Sequence, residues 1–240
     1  MSLQFIMGNS GSGKSYCLYD TVVREAIENP DKNYLVIVPE QFTMQTQKDL
    51  CLAHPKGGIM NIDVLSFGRL AYRVFEEVGQ DARVVLDDEG KNLVLRKIAG
   101  ECEKDLKVFK GNLKKQGYIS EVKSVLSEFA QYGVDFERLD DFMKEVPPES
   151  YLHYKLDDIR TIYEKFEEYL SEKYITKEEM LDVLSDAVPY SDILKGSVVA
   201  MDGFTGFTPV QNRLIGELFS VCEKVMITVE MDEREDPFVC

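Results

Sequence analysis

The chain has 240 residues, of which 44% are hydrophobic and 30% charged, which suits one large domain or one domain that carries an inserted second one. Its formal net charge of -15 at pH 7 is a poor match for a protein that grips nucleic acid alone through many phosphate contacts, so any role on DNA is expected to be local or shared. No segment is long and apolar enough to span a bilayer, and the first residues lead into a strand rather than a signal peptide, so we expect a cytoplasmic protein without membrane contact.

The first predicted strand runs directly into a glycine-rich loop. Residues 8–15 read GNSGSGKS and match the phosphate-binding pattern G-x-x-x-x-G-K-[ST] at every position. A helical pattern follows from Tyr16 to Ile27, so the context is strand, loop and helix. Such a loop points successive N–H groups inward, and the positive end of the helix faces the same place. The predicted ATP-binding residues are Gly8, Asn9, Ser10, Gly11, Ser12, Gly13, Lys14 and Ser15.

Two of these side chains have distinct predicted roles. Lys14 would reach the outer phosphates as a mobile charge, and the Ser15 hydroxyl would be a ligand of a Mg²⁺ ion that otherwise keeps its waters. The structural alternative is a Gly/Ser-rich turn between a strand and a helix, without a ligand.

The next elements alternate between strands and helices. Tyr34 to Val38 is an apolar, branched run that ends at Pro39, which is typical of a buried parallel strand. A helical segment follows from Gln41 to Leu52, then a short strand from Ile62 to Leu65 and a further helix. This order predicts an α/β fold with a doubly wound parallel sheet.

The middle of the chain has a different hydrophobic pattern. From Asp87 to about Ala187, helix-length segments replace the alternating strands and helices. The last of these helices has a capping box, with Thr176 as N-cap and Glu179 three residues later. We therefore predict a large all-helical insert at residues 81–195. Residues 1–80 and 196–240 would form the α/β domain.

Two apolar strands then resume the sheet, one ending at Met201 and one covering Val225 to Val229. Little sheet follows the last strand and the tail, residues 232–240, is acidic. We expect this chain to be the front part of a longer polypeptide.

Asp202 follows the strand that ends at Met201 and is the candidate for holding the Mg²⁺ water shell. An ATPase usually places a glutamate next, to activate water, but position 203 is Gly and the next carboxylate in sequence is Glu217. We therefore predict nucleotide binding with crippled hydrolysis, since one positioned acid-base group contributes about 10² to 10⁴ in rate. Alternatively, Asp202 only begins a turn.

Other polar residues offer little chemistry. The five cysteines have no C-x-x-C spacing and the two histidines are far apart, so neither a zinc site nor a disulfide framework is indicated. A lysine-rich stretch at residues 104–115 is interpreted as a solvated face with a loop.

Four segments together resemble the N-terminal part of the AddB family, which is related to RexB and comprises B subunits of bacterial AddAB ATP-dependent helicase/nucleases. They are the opening loop, VPEQF at 38–42, VLSFGRLAYRV at 64–74 and MDGFTGFTP at 201–209. Their order and spacing span nearly the whole chain.

The resemblance implies a RecA-like helicase 1A domain, with the predicted insert as the 1B-like subdomain and the glycine-rich loop as the ATP site. The Pro39 to Phe42 turn would be helicase motif Ia, and DNA contacts would come from Gln41, Ser66 and Arg69. The structural alternatives are a helix start with Gln41 exposed and an N-cap at Ser66.

The resemblance also implies a role in repair of double-strand DNA breaks and recombination, as a heterodimer with an AddA-type helicase/nuclease subunit. Active helicases of the UvrD type carry Asp-Glu where this chain has Asp202-Gly203, which agrees with a degenerate helicase that binds ATP without being a motor. There is no room upstream of Phe5 for the adenine-reading glutamine motif. The nuclease domain and the cysteine-bound iron-sulfur cluster of the family would lie toward a C-terminal region absent here.

Two other classes of function compete with this one. The first is a P-loop kinase for a small metabolite, with the helical insert as its lid, although residues 150–190 have no arginine pair to clamp phosphates. The second is an interaction scaffold whose loop binds no nucleotide.

Overall fold

The computed structural model describes residues 2–79, 83–113, 115–171 and 173–231, with the side chain of residue 116 left out. The backbone divides into two compact units. The first, here called the α/β unit, comprises Met1–Gln80, Leu181–Phe207 and Gln211–Cys240. The second, here called the helical unit, comprises Asp81–Met180 and Thr208–Val210.

The secondary structure begins with alternating strands and helices, continues through mostly helices, and ends with strands again. In chain order the elements are β1 (Ser2–Gly8), α1 (Lys14–Glu28), β2 (Tyr34–Ile37), a 3₁₀ turn (Glu40–Phe42), α2 (Thr43–Ala53), β3 (Ile62–Leu65), α3 (Phe67–Val78), β4 (Val84–Leu86), α4 (Asp88–Glu101), α5 (Gln116–Tyr132), α6 (Phe136–Glu145), α7 (Tyr151–Leu170), β5 (Tyr174–Thr176), α8 (Lys177–Ala187), a second 3₁₀ turn (Val188–Tyr190), β6 (Val198–Met201), α9 (Pro209–Val221) and β7 (Lys224–Glu230).

The sheet of the α/β unit has the strand order β1-β7-β6-β2-β3, and every neighbouring pair is parallel. Every residue of β2 and β6 is buried, which explains why these strands are continuous apolar runs rather than alternating ones. The prediction of an α/β fold with a parallel sheet is therefore confirmed.

One face of this sheet is covered by α1. Strand residues two apart point to the same face, and Val36, Ala200 and Met226 share a buried cluster with Leu18 and Val22 of the helix. Asp202 and Thr228 follow Ala200 and Met226 by two residues, so the alternation directs both side chains toward the α1 side.

Strand β1 lies at the edge of the sheet, where, among the described residues, it pairs only with β7. Its alternate side chains Leu3, Phe5 and Met7 are 47%, 50% and 61% exposed. These three side chains lie on the face of β1 opposite Ile6, which packs on the α1 cluster.

The helical unit has its own core, built mainly from α4, α5 and α7 and the segment between α4 and α5. Buried Asp158 of α7 fastens that segment, because its carboxylate accepts hydrogen bonds from the backbone N–H groups of Lys107, Val108 and Phe109 at 2.7–2.8 Å. The lysines at 104, 107 and 110 are exposed, as expected of a solvated face, and Lys114 lies outside the described residues.

The prediction that residues 81–195 are all helical was wrong. Strands β4 and β5 pair in parallel within the helical unit, with Val85 opposite Ile175. Each strand has three residues, which is too short for a period-two pattern to emerge from the sequence.

The predicted capping box at the start of α8 is present. The Thr176 hydroxyl accepts a hydrogen bond from the Glu179 N–H at 3.2 Å, and the Glu179 carboxylate accepts one from the Thr176 N–H at 2.7 Å. None of the helices in the described ranges combines the length and apolarity needed to cross a membrane.

Candidate nucleotide-binding site

The candidate site lies at the edge of the sheet where all five parallel strands have their carboxyl ends. The glycine-rich loop follows β1, the Pro39 turn follows β2, Ser66 follows β3 and Asp202 follows β6. In open parallel sheets this edge is where ligands bind. The fold therefore brings the sequence-predicted site residues to one edge of the α/β unit.

The loop between β1 and α1 depends on glycine backbone geometry. Gly11 and Gly13 have φ values of 75° and 87°, in the left-handed region that L side chains rarely adopt. The loop also folds back on itself, because the Ser12 N–H donates to the Asn9 carbonyl at 3.1 Å.

Gly8 leaves room for this return of the chain. A Cβ atom at position 8 would lie 2.5 Å from Ser12 Oγ, closer than real Cβ contacts allow. A side chain at position 8 would therefore require the Ser12 hydroxyl to rotate away, and it would still lie 3.3 Å from Ser12 Cβ.

The first turn of α1 supplies free donors. Among the described residues, the backbone N–H groups of Lys14, Ser15 and Tyr16 form no hydrogen bond, and Gly13 offers no side-chain cap. Unpaired N–H groups at a helix start carry partial positive charge and favour an anion.

The Lys14 ammonium lies over the loop. Its Nζ donates to the carbonyl oxygens of Gly8 and Asn9, both at 2.8 Å. The positive charge thus already lies over the loop. An ammonium group has three N–H donors, so one donor remains for a phosphate oxygen while two are used on these carbonyls.

Asp202 is buried, with 6% of its surface exposed, and hydroxyl groups donate to both of its carboxylate oxygens. Thr228 Oγ1 donates to Oδ1 and Tyr19 Oη donates to Oδ2, each at 2.7 Å. Its backbone N–H donates to the Ile37 carbonyl at 3.1 Å, which anchors the end of β6 on β2.

Tyr19 connects this carboxylate to α1 and α2. It lies four residues after Ser15, so both side chains lie on the same face of α1. Burial first, and the hydrogen bond to Asp202 second, raise the pKa of Tyr19 above its usual range, so the phenol is a proton donor at neutral pH. Because its single proton is used on Asp202, Thr46 of α2 donates to the same oxygen at 3.3 Å.

Gly203 is part of a second tight turn. Its φ is 76°, and a Cβ atom there would lie 3.5 Å from both Phe42 Cδ2 and Pro39 Cδ. The turn after β6 therefore packs against the turn after β2. A larger residue would strain the backbone at this position.

Sequence reasoning missed four residues that the fold brings to this edge. Tyr19, Thr46 and Thr228 form the hydrogen bonds around Asp202, and Glu230 ends β7 in register with Gly8. The only signals available were the spacing of Tyr19 from Ser15 and the alternation along β7. Glu230, rather than Glu217, is the exposed carboxylate beside the loop strand.

The predicted DNA-contacting residues lie beside these turns in two different environments. Gln41 and Arg69 are exposed, and Arg69 Nε lies 3.3 Å from Glu40 Oε1, which joins the segments after β2 and β3. Ser66 is buried, and its hydroxyl accepts from the Arg69 N–H at 3.3 Å as the N-cap of α3.

The residues present fit ATP and Mg²⁺. The loop offers positive φ, free N–H groups and a lysine, and the Ser15 hydroxyl and Asp202 carboxylate are the oxygen ligands that Mg²⁺ prefers. Across the part of the chain that the structure describes, no group of three or more His, Cys, Asp or Glu side chains could enclose a metal ion.

Comparison with known proteins identifies one family model and several relatives that share one name. Residues 5–238 match the family model described as "ADDB, N-terminal". The chain is 47% identical over 235 residues to the B subunit of the ATP-dependent helicase/deoxyribonuclease of Lachnoclostridium phytofermentans, covering 98% of this chain and 20% of that protein. Proteins of the same name from Clostridium tetani and Alkaliphilus metalliredigens are 37% and 35% identical, over 95% and 97% of this chain and 20% of each relative. The chain thus spans about a fifth of the length of these relatives.

Proposed function

This chain belongs to the AddB N-terminal family, and on that premise we propose that it is the ATP-binding region of the B subunit in a heterodimeric ATP-dependent helicase/exonuclease for double-strand DNA break repair and recombination. The region binds ATP and Mg²⁺ in the cradle at residues 8–15 and is not itself a motor. The observation that carries the proposal is the cradle, in which glycine geometry, free N–H groups and Lys14 converge at the carboxyl edge of the sheet.

Each part of the cradle has a task in binding. The N–H groups at the start of α1 donate to phosphate oxygens, and Lys14, which donates to two loop carbonyls, has a third N–H for an outer phosphate oxygen. Ser15 and Asp202 would hold Mg²⁺, which would neutralise charge on the phosphates.

Hydrolysis is slow in this proposal, because the turn after Asp202 lacks a carboxylate. Gly203 has no side chain to orient water, and its positive φ disfavours a glutamate there. Exposed Glu230 is the carboxylate nearest the loop strand in register, but no side-chain hydrogen bond within the described ranges fixes its position. A carboxylate without a fixed position is a poor general base.

In this proposal the chain contacts DNA and the partner subunit locally, through a few exposed side chains. Gln41 and Arg69 are exposed at the nucleotide edge, and Phe42 and Tyr72 beside them are 46% and 56% exposed. Amide, guanidinium and aromatic groups together suit single-stranded DNA, whose bases stack and whose backbone is anionic. Because the net charge of the chain is -15, these residues form only part of a DNA path, which the chain shares with an AddA-type helicase/nuclease subunit.

A small-molecule kinase with a helical lid is the second candidate. The helical unit enters the chain after β3 and α3, which supports the helicase-like arrangement rather than a lid late in the chain. The scaffold hypothesis predicts that no nucleotide binds, so a binding measurement separates it from the proposal.

The test is nucleotide-dependent stabilisation of the purified chain. ATP with Mg²⁺ at 100 times the dissociation constant should stabilise the protein by about 2.7 kcal/mol. Lys14→Ala should abolish this stabilisation, whereas Lys56→Ala, which changes an exposed lysine outside the cradle, should retain it. A wild-type protein whose melting temperature does not respond to millimolar ATP and Mg²⁺ would contradict the proposal and favour the scaffold.

A further inference from the structure

Helix α1 carries two hydroxyl groups on one face, at Ser15 and at Tyr19 one turn later. The proposed function uses Ser15 and leaves Tyr19 without a role. Yet Tyr19 reaches across the sheet face to Asp202 Oδ2 at 2.7 Å, a contact between residues 183 positions apart in sequence.

This contact is a strong one. A hydrogen bond from a neutral hydroxyl to an ionised carboxylate is about twice as strong as a bond between neutral groups, and low exposure removes competition from water. Asp202 is 6% exposed, so its orientation is set by its two hydroxyl donors rather than by solvent.

The two donors leave acceptor capacity on the carboxylate. An ionised carboxylate has about four lone-pair sites, and Tyr19 and Thr228 occupy one on each oxygen. The remaining sites can accept from the water shell of a cation. The direction in which they point is fixed by the two hydroxyl groups that hold the carboxylate.

We propose that Tyr19 is a positioning residue for Mg²⁺ in this chain: its hydroxyl holds Asp202 in the orientation in which the carboxylate receives the Mg²⁺ of a bound nucleotide. The inference rests on the proposed function and deepens it. Outer hydrogen-bond partners of ligating carboxylates typically contribute about 10-fold to 100-fold to metal affinity.

Thr46 extends the same network to α2. Its hydroxyl lies 3.3 Å from Tyr19 Oη, and Thr46 is itself buried, so a second hydrogen bond holds the Tyr19 hydroxyl. The phenol is thus fixed between two helices and a strand end, as a positioning group has to be.

The experiment compares ATP affinity with saturating Mg²⁺ and in EDTA, by calorimetric titration of the full chain. Tyr19→Phe should reduce the gain in affinity that Mg²⁺ confers by about 10-fold to 100-fold. It should leave the affinity in EDTA within about twofold, because the cradle at residues 8–15 is unchanged. A purely structural role would change both affinities or neither.

The matched control is Tyr190→Phe, which makes the same change in the second 3₁₀ turn at a residue that is 70% exposed. Its Mg²⁺ dependence should equal that of the wild type. Thr228→Val, which removes the other donor to Asp202 without changing side-chain volume greatly, provides a second variant and should reproduce the loss.

The possible results distinguish a failure of the inference from a failure of the proposed function. If the wild type binds ATP and Tyr19→Phe and Thr228→Val both keep the wild-type Mg²⁺ dependence, the inference is wrong and the proposed function stands. If the wild type binds no ATP, the proposed function fails and the inference fails with it.

Discussion

Ser12 Oγ lies 2.5 Å from the place where a Cβ atom on Gly8 would project. The glycine-rich loop thus returns close to the end of β1. Its shape depends on this close return as well as on the positive φ values of Gly11 and Gly13.

Gly8→Ala should disrupt nucleotide binding. The added methyl group makes the Ser12 hydroxyl rotate away and crowds Ser12 Cβ at 3.3 Å, so we expect ATP affinity to fall by up to about 10-fold, equivalent to about 1.4 kcal/mol. Gly58→Ala is the control, because a Cβ atom at position 58 meets no atom within 4 Å. Equal ATP affinity of the two variants in a calorimetric titration would contradict the loop geometry.

Gly203 should resist conversion to the active-helicase residue. With φ at 76°, Gly203→Glu is expected to lower the free energy of unfolding by about 1–2 kcal/mol and to leave ATP turnover unrestored. Urea unfolding and a phosphate-release assay measure the two effects. Gly206→Ala, at an open position without positive φ, should be close to neutral. Rapid turnover in Gly203→Glu would show that only the carboxylate was missing.

Asp158 should be a main determinant of stability in the helical unit. Asp158→Ala leaves three backbone N–H groups without their acceptor, so we expect a loss of about 3 kcal/mol in the free energy of unfolding. Its neighbour Asp157 forms an exposed pair with Lys107, so Asp157→Ala should cost less than about 1 kcal/mol. Similar unfolding midpoints in urea for the two variants would refute this assignment.

Glu167 should make the helical unit less stable at higher pH. Burial first, and the charge of Glu179 second, raise the pKa of Glu167 from 4.5 to about 7 in the folded chain. The folded state therefore holds this proton more tightly than the unfolded state, and stability falls as pH rises from about 4.5 through about 7.

Glu167→Gln removes that titration. The variant should match the wild type at pH 4.5 and be more stable than the wild type at pH 8, as measured by thermal unfolding across the range. Glu168→Gln, at the exposed neighbouring position, should keep the wild-type pH profile. A wild-type profile in Glu167→Gln would contradict the buried carboxyl.

The sequence was sufficient where the chemistry is local. The cradle is encoded by eight consecutive residues. Strands β2 and β6 are continuous apolar runs, and such runs are typical of strands that are buried on both faces. The Thr176 and Glu179 capping box lies within four residues and is present as predicted.

The remainder depends on contacts between distant segments. Tyr19 and Asp202 are 183 positions apart, and Glu230 lies beside Gly8 only because β7 pairs with β1. The hydrophobic pattern of a single strand does not show which residues of β1 and β7 pair with each other. Ser66 illustrates a different limit, since an exposed contact and an N-cap have the same local sequence, and only the fold shows that its hydroxyl caps α3.

The central claim is that this chain binds ATP with Mg²⁺ at a site that hardly hydrolyses it. The most direct test measures both quantities on one preparation, as ATP affinity by calorimetry and steady-state phosphate release. The account predicts saturable binding that Lys14→Ala removes, with turnover far below about one per second, a modest rate for an enzyme. Turnover above about one per second that Lys14→Ala abolishes, or no binding by the wild type, would contradict it.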